Sequence, residues 1–206
     1  MRLTERAHDH LEQSLRPGDL AIDATAGNGH DCLKIAQLVA PHGQLIAIDR
    51  QAPAIDASRD RLGKHKLEHL CRFIEDDHAN ALRALAAQHP GEASAVVFNL
   101  GYLPGSDKSI LTQPASTLPA LDAANVLLKP GGILLVTAYR GHQGGMAEAE
   151  AVARWMEAFP GPVACHEPDI AGGGAPPPIL WVASTAGHGQ AAPGATPENH
   201  PPPAGR

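Results

Sequence analysis

The stretch Leu20-Ala21-Ile22-Asp23-Ala24-Thr25-Ala26-Gly27-Asn28-Gly29-His30-Asp31 decides the fold. An apolar run ends in an aspartate, passes through a tight glycine loop and opens onto a helical pattern of Leu33, Ile35, Ala36, Leu38 and Val39. A strand, a glycine turn and a helix N-terminus in that order is how an α/β sheet cradles a nucleotide-like ligand. The next apolar run, Gln44-Leu45-Ile46-Ala47-Ile48, ends in Asp49. That acid lies about 20 residues past the glycines, where a ribose diol is held. Cys32 occupies the place of the third glycine in the dinucleotide fingerprint G-x-G-x-x-G. The loop is therefore a poorer fit to a pyrophosphate than to a ligand without phosphates. Its spacing suits S-adenosylmethionine, with the amino-acid end along Gly27, Asn28 and Gly29 and the ribose at Asp49.

Upstream of this loop, Leu3, Ala7, Leu11 and Leu15 recur every four residues and predict an N-terminal helix. Pro17-Gly18 ends it, and strand one follows at about 19–24. Downstream, the pattern predicts a helix to about Ala40, strand two at Gln44–Asp49, a helix opened by Pro53, and a short third strand at Leu70–Ile74. Asp76-Asp77-His78 then starts a helix, and Ala95–Phe98 reads as a buried fourth strand. A polar loop leads to a helix at about Ala115–Leu128, and Lys129-Pro130-Gly131-Gly132 turns into strand five, Ile133–Thr137. A helix through about Ala158 and two weaker strands near 162–166 and 179–183 complete the series. Five strand–helix alternations imply parallel strands covered on both faces, and the last two strands imply an antiparallel hairpin at one edge. The expected architecture is α/β: a seven-stranded, mostly parallel, Rossmann-like class I methyltransferase sheet spanning 1–184. Residues 185–206, rich in Gly and Pro without periodicity, are expected to be a disordered tail with no part in the chemistry.

The 206 residues give room for one full core, built from Ala, Leu, Val and Ile because aromatics are only 3%. A net charge of −6 weighs against broad non-specific binding to nucleic acid and leaves room for a local basic patch. The cysteines Cys32, Cys71 and Cys165 are odd in number and far apart, which indicates neither disulfides nor a metal cluster. No stretch is long and apolar enough for a membrane span, and no signal segment opens the chain, so a cytoplasmic protein is expected.

Around the loop, Asn28 and Asp31 are candidates for the amino and carboxyl ends of the donor. Gln51 is near enough to Asp49 to assist at ribose or adenine, or else is a solvated first-turn residue. Asp77 and His78 follow strand three, where an acid can accept the adenine amine and a ring can pack on it. Either Asp76 or Asp77 also serves as a helix cap. Asn99-Leu100-Gly101-Tyr102 stands at the carboxyl end of strand four, the rim where such sheets bind ligands. The tetrad resembles the Asn/Asp-Pro-Pro-Tyr motif of amino-methyltransferases, with Leu-Gly in place of Pro-Pro. Tyr139, Arg140 and His142 follow strand five on the same rim, and His142 is a candidate proton acceptor. The pairs His8/His10 and His65/His69 are expected to be solvated surface rather than metal ligands.

Three segments together resemble the YtqB-like group of class I methyltransferases, whose members are described as rRNA methylases. They are Ile22–Asp31, the run Phe98-Asn99-Leu100-Gly101-Tyr102-Leu103-Pro104-Gly105-Ser106-Asp107-Lys108-Ser109-Ile110, and Tyr139-Arg140-Gly141-His142. The resemblance implies S-adenosylmethionine as methyl donor. One branch of the group implies methylation of the 5-aminomethyl group on a wobble uridine, often 2-thiolated, in the anticodon stem-loop of tRNA. It also implies Asn28, Asp31, Asp49, Gln51, Asp77 and His78 at the donor, and Asn99, Tyr102, Lys108, Tyr139 and His142 at the acceptor. In that setting Asn99 and the Leu100 carbonyl would accept the N–H groups of the amine, and Tyr102 or Tyr139 would stack on a splayed base. Lys108, Arg140 and the N-terminal arginines are candidates for phosphate contacts, and a homodimer is one way for an acidic chain to present an RNA surface. Gly172-Gly173-Gly174-Ala175-Pro176-Pro177 departs from the Asn-rich turn usual there. An rRNA or small-molecule amine methyltransferase is the alternative within the class. A nicotinamide-dependent oxidoreductase and a donor-binding regulator without catalysis are alternatives outside it.

Overall fold

Along the second strand Leu45, Ile46, Ala47 and Ile48 are all buried, which a strand achieves only when both faces of its sheet are covered. The computed structural model describes residues 2–101, 111–168 and 176–187. In order these form α1 (Leu3–Ser14), β1 (Leu20–Asp23), α2 (His30–Val39), β2 (Gln44–Asp49), α3 (Ala52–Lys64), a 3-10 turn, β3 (Cys71–Glu75) and α4 (His78–Gln88). Then come β4 (Ala93–Leu100), α5 (Pro114–Leu127), β5 (Leu128–Ala138), α6 (Gly145–Glu157), β6 (Val163–His166) and β7 (Ile179–Ser184). The seven strands lie in the order β3-β2-β1-β4-β5-β7-β6. The first five are parallel, and β7 runs antiparallel between β5 and β6. This is the class I methyltransferase sheet expected from the alternation, with its antiparallel hairpin at one edge.

Alternate residues of each strand feed two cores. Ile22, Ile46, Phe98, Leu134 and Val136 pack under α4, α5 and α6. Ala21, Leu45, Ala95, Val97 and Leu135 pack under α2 and α1, whose Leu3, Ala7 and Leu11 supply the expected stripe. Arg16, expected among the candidates for phosphate contacts, instead donates to the carbonyls of Glu12, Gln13 and Leu15, the orphan acceptors at the end of α1. Arg6 bonds His166 of β6.

Two strands are longer than the sequence pattern predicts. β5 begins at Leu128, five residues early, with a register shift opposite Ala93/Ala95 that absorbs Pro130-Gly131-Gly132. β4 continues past Phe98 because Asn99 and Leu100 pair with Thr137 and Ala138 of β5. Asn99 therefore sits on a strand held by ladder bonds, not on a free loop.

The glycine loop closes with Gly29 at φ +75°, as the residue before α2. A Cβ there would stand 2.7 Å from Ser58 Cα on α3, so glycine is required both for the left-handed turn and for the approach of the two helices. Gly29→Ala is expected to cost about 3 kcal/mol of stability, from the strained φ and the clash with backbone. Chemical denaturation of the variant measures this, and a cost under about 1 kcal/mol would contradict the packing described.

Candidate active site

β1, β2 and β4 end side by side, and each end is tied to the glycine loop. Ala24 N donates to Val97 O of β4, and Ala26 N donates to Ile48 O of β2. Gly27 N then donates to Asp49 Oδ2 at 3.0 Å, while Gln51 N donates to Asp49 Oδ1 at 3.0 Å. The acid at the tip of β2 is thus fixed in orientation by backbone at both oxygens. Burial pushes its carboxyl above the ordinary range, against the pull of those N–H groups.

On the other side of the loop, Asn99 N donates to Thr25 Oγ1 at 2.7 Å, and Asn99 Nδ2 donates to Asp31 Oδ2 at 2.7 Å. Asp31 Oδ1 is 2.7 Å from His8 Nε2 of α1. Burial raises the Asp31 carboxyl, but the hydrogen bonds from His8 and Asn99, with the charges of His8 and His30, outweigh it and hold the group below its usual value. Asp23, directly beneath, is fully buried and accepts from Cys32 Sγ and Thr25 N. Burial first, and then the charge on Asp31, push its carboxyl up to about 7.

The sign of the Asp23 effect follows from linkage. Its folded value lies above the unfolded 3.8, so between about pH 4 and 7 the native chain holds a proton that the unfolded chain has lost. That contribution to stability is present at the acid end and is lost as pH rises through about 7. Relative to wild type, Asp23→Asn is expected to gain about 2 kcal/mol of unfolding free energy between pH 5.5 and 8. Denaturant titrations across that range measure the difference, and parallel pH profiles for the two proteins would contradict it.

These groups surround one cavity of about 360 Å³, in the range of small-molecule sites. Of the residues singled out in the sequence, Gly27, Asn28, Asp31, Asp49, Gln51, Asp77, His78, Asn99 and Tyr139 line it. Asp77 also caps α4 by accepting from Ala79 N at 2.9 Å, so its binding and capping readings coexist. His78 is buried edge-on to Phe98, with Nε2 3.2 Å from Ser116 Oγ. Burial lowers its affinity for a proton. Tyr139 also lines the cavity and is 43% exposed.

Gly29 shapes the loop without lining the cavity. Arg140 and His142 also lie off the wall. Arg140 Nε donates to Pro177 O at 2.6 Å, and its guanidinium is 3.5 Å from Glu167, so it braces the β6–β7 end of the sheet. His142 packs behind Gly101 and Gly145, where added Cβ atoms would stand 3.5 and 2.9 Å from its Nε2. Tyr102 and Lys108 lie outside the described residues. The Leu100 carbonyl, expected to face the acceptor, takes the Tyr139 N–H at 2.9 Å.

Several positions at the cavity were not singled out from the sequence. Thr4 of α1, Thr25, Arg50, Thr112 and Ser116 line the cavity, and His8, expected on solvated surface, is bonded to Asp31. With 12 histidines in the chain, only tertiary contact distinguishes His8. Thr112 and Thr117 both donate to the buried Glu148 of α6, which ties the start of α5 to α6.

A glycine loop and a strand-end acid on one cavity wall, under this strand order, define a class I S-adenosylmethionine-dependent methyltransferase. The cavity's donor set is compatible with that cofactor: the Asp49 carboxyl is held by two backbone N–H groups, and Asn28, Asp31, Asp77 and His78 line the same cavity. Comparison with known proteins agrees. A family model described as "Putative rRNA methylase" matches residues 45–167, and the chain belongs to that family. The crystal structure titled as a "putative rRNA-methylase" of Clostridium thermocellum is 33% identical with a TM-score of 0.79, over 88% of this chain and 96% of that one. SMU.1697c of Streptococcus mutans, titled a "putative methyltransferase" in complex with SAH, is 30% identical with a TM-score of 0.77, over 89% and 98%. The chloroplastic tRNA (mnm(5)s(2)U34)-methyltransferase of Arabidopsis thaliana is 36% identical over 167 residues, 77% of this chain. The chain spans 60% of the length of that relative. Family membership sets aside the oxidoreductase reading. Among the described residues no helix is long and apolar enough to cross a membrane, and no cluster of three metal-ligating side chains occurs.

Proposed function

We propose that the protein methylates the 5-aminomethyl group of the wobble (2-thio)uridine in tRNA, giving the 5-methylaminomethyl base, in the cytoplasm. The observation that carries this reading is Asn99. Its Nδ2 is committed to Asp31, and Asn99 lines the donor cavity, so Oδ1 is the amide atom left to meet a substrate there. An acceptor oxygen there suits a substrate that brings N–H, as an amine does. The name of the Arabidopsis relative supports the same substrate.

Bound S-adenosylmethionine would supply a methyl group on a positively charged sulfur: once the ammonium of the substrate has lost a proton to solvent, the N–CH3 bond would form as the S–CH3 bond breaks, with S-adenosylhomocysteine as leaving group. The chain's part is largely positioning. Asp49 orients the ribose end, and the Gly27–Asn28 loop holds the amino-acid end. Asn99 Oδ1 accepts an N–H of the amine and turns its lone pair toward the donor. Tyr139 stacks on the base and keeps water from the mouth.

The test is methyl transfer from labelled S-adenosylmethionine to tRNA bearing 5-aminomethyl uridine, with nucleosides resolved by mass. A gain of one methyl on that base is expected. Transfer to rRNA or to a free amine, with tRNA untouched, would replace the substrate and keep the class.

A further inference from the structure

We propose that His8 on α1 is a positioning residue that, through Asp31, determines which end of the Asn99 amide faces the acceptor. The proposal rests on the reading of Asn99 given above. The connection is a continuous chain of two short bonds, His8 Nε2 to Asp31 Oδ1 and Asn99 Nδ2 to Asp31 Oδ2, each 2.7 Å. It joins the helix that precedes the sheet, the first turn of α2 and the end of β4. Nothing in the repeating strand–helix plan requires α1 to reach this rim.

A carboxylate only accepts hydrogen bonds, so an ionised Asp31 forces both partners to present N–H. The Asn99 amide then has one orientation, with oxygen toward the cavity. A protonated Asp31 would reverse this. Its O–H would donate to the Asn99 oxygen, and the NH2 group would turn toward the substrate, setting donor against donor. Burial of Asp31 favours that unproductive state, and the carboxyl of Asp23 lies close to it. The N–H of Asn99 and the ring of His8 oppose it by direct hydrogen bonds, and the charge of His30 opposes it more weakly. His8 is the partner that comes from outside the rim, on a helix also tied to α2 by the Glu12–Lys34 ion pair.

The experiment compares wild type, His8→Ala, His8→Gln and Glu12→Ala. Gln carries an N–H at nearly the reach of His Nε2. Glu12→Ala removes the other tie of α1 to α2 without touching Asp31. The first readout is independent of turnover: the side-chain NH2 pair of Asn99 in 15N-resolved NMR, assigned by its loss in Asn99→Asp. In wild type and Glu12→Ala the pair is expected to be well dispersed by the bond to a carboxylate. In His8→Ala it should shift toward ordinary amide values, and in His8→Gln most of the dispersion should return. The second readout is kinetic. His8→Ala should lower kcat about tenfold with the dissociation constant for S-adenosylmethionine within about threefold, and His8→Gln should recover most of kcat.

An Asn99 signal unchanged in His8→Ala overturns the proposal whatever the substrate proves to be. A loss of donor affinity with kcat retained also overturns it, by placing His8 in the donor pocket. A wild type that leaves 5-aminomethyl uridine unmodified removes the substrate reading instead, and the amide spectrum then decides the role of His8 alone.

Discussion

Asp49→Ala is expected to weaken S-adenosylmethionine binding by at least two orders of magnitude, read by calorimetry on the purified protein. Two losses add. The carboxylate no longer accepts from the ribose diol, and a hydrogen bond to a charged group contributes about 1.5–3 kcal/mol. In addition, Gly27 N and Gln51 N, both 3.0 Å from the carboxylate, lose their acceptor, so the glycine loop keeps only the Ala26 N to Ile48 O bond as its tie to β2. Asp49→Asn should fall between wild type and Ala. An amide can accept from one of those backbone donors but must turn its NH2 toward the other. Because burial raises the Asp49 carboxyl above its ordinary value, wild-type affinity should also decline as pH falls, beginning at a higher pH than for an exposed aspartate. Donor affinity in Asp49→Ala within threefold of wild type would remove this residue from the site.

That the glycine loop and Asp49 share one cavity was legible in the sequence for a physical reason. A glycine loop between a strand and a helix, followed by an acid at the next strand end, is local chemistry whose spacing is set by the length of one βαβ unit. Gly27, Asn28, Asp31 and Asp49 line one cavity because the parallel neighbours β1 and β2 end within two residues of each other. The fold was legible for a similar reason, since buried strands alternated with helical stripes. The acceptor half depends on contacts that spacing does not encode. Asn99 was placed at a strand end from its sequence, yet its fixed orientation comes from Asp31, 68 residues earlier. His8 looked like any other surface histidine, because one position beside an apolar stripe carries no sign of what it will meet. Arg140 and His142 follow β5 as expected, but the chain turns there. The guanidinium is drawn to Pro177 and Glu167, and the imidazole is tucked behind Gly101. A rim position names the neighbourhood of a residue and not the direction of its side chain.

Asn99→Ala is the variant that separates donor binding from chemistry. Its backbone N–H stays bonded to Thr25 Oγ1, and its strand stays paired with Thr137 and Ala138, so the glycine loop and Asp49 keep their places. Affinity for S-adenosylmethionine should remain within about threefold of wild type. The amine, however, loses the acceptor that aims its lone pair, and Asp31 loses one of its two side-chain partners. Removing a preorganised polar group at a reacting centre costs about 10²–10³ in turnover, and a misplaced nucleophile about 10². A fall of about two orders of magnitude in the single-turnover rate is therefore expected. Asn99→Asp should do no better, because its carboxylate would meet that of Asp31 at hydrogen-bond distance, and one of the two must hold a proton that then has no fixed side. A regulatory protein that binds the donor without chemistry would show no turnover to lose. Wild-type turnover in Asn99→Ala would move the acceptor away from the end of β4. The expected pattern, with donor binding intact in one variant and lost in the other, requires that β2 and β4 carry separate halves of the reaction.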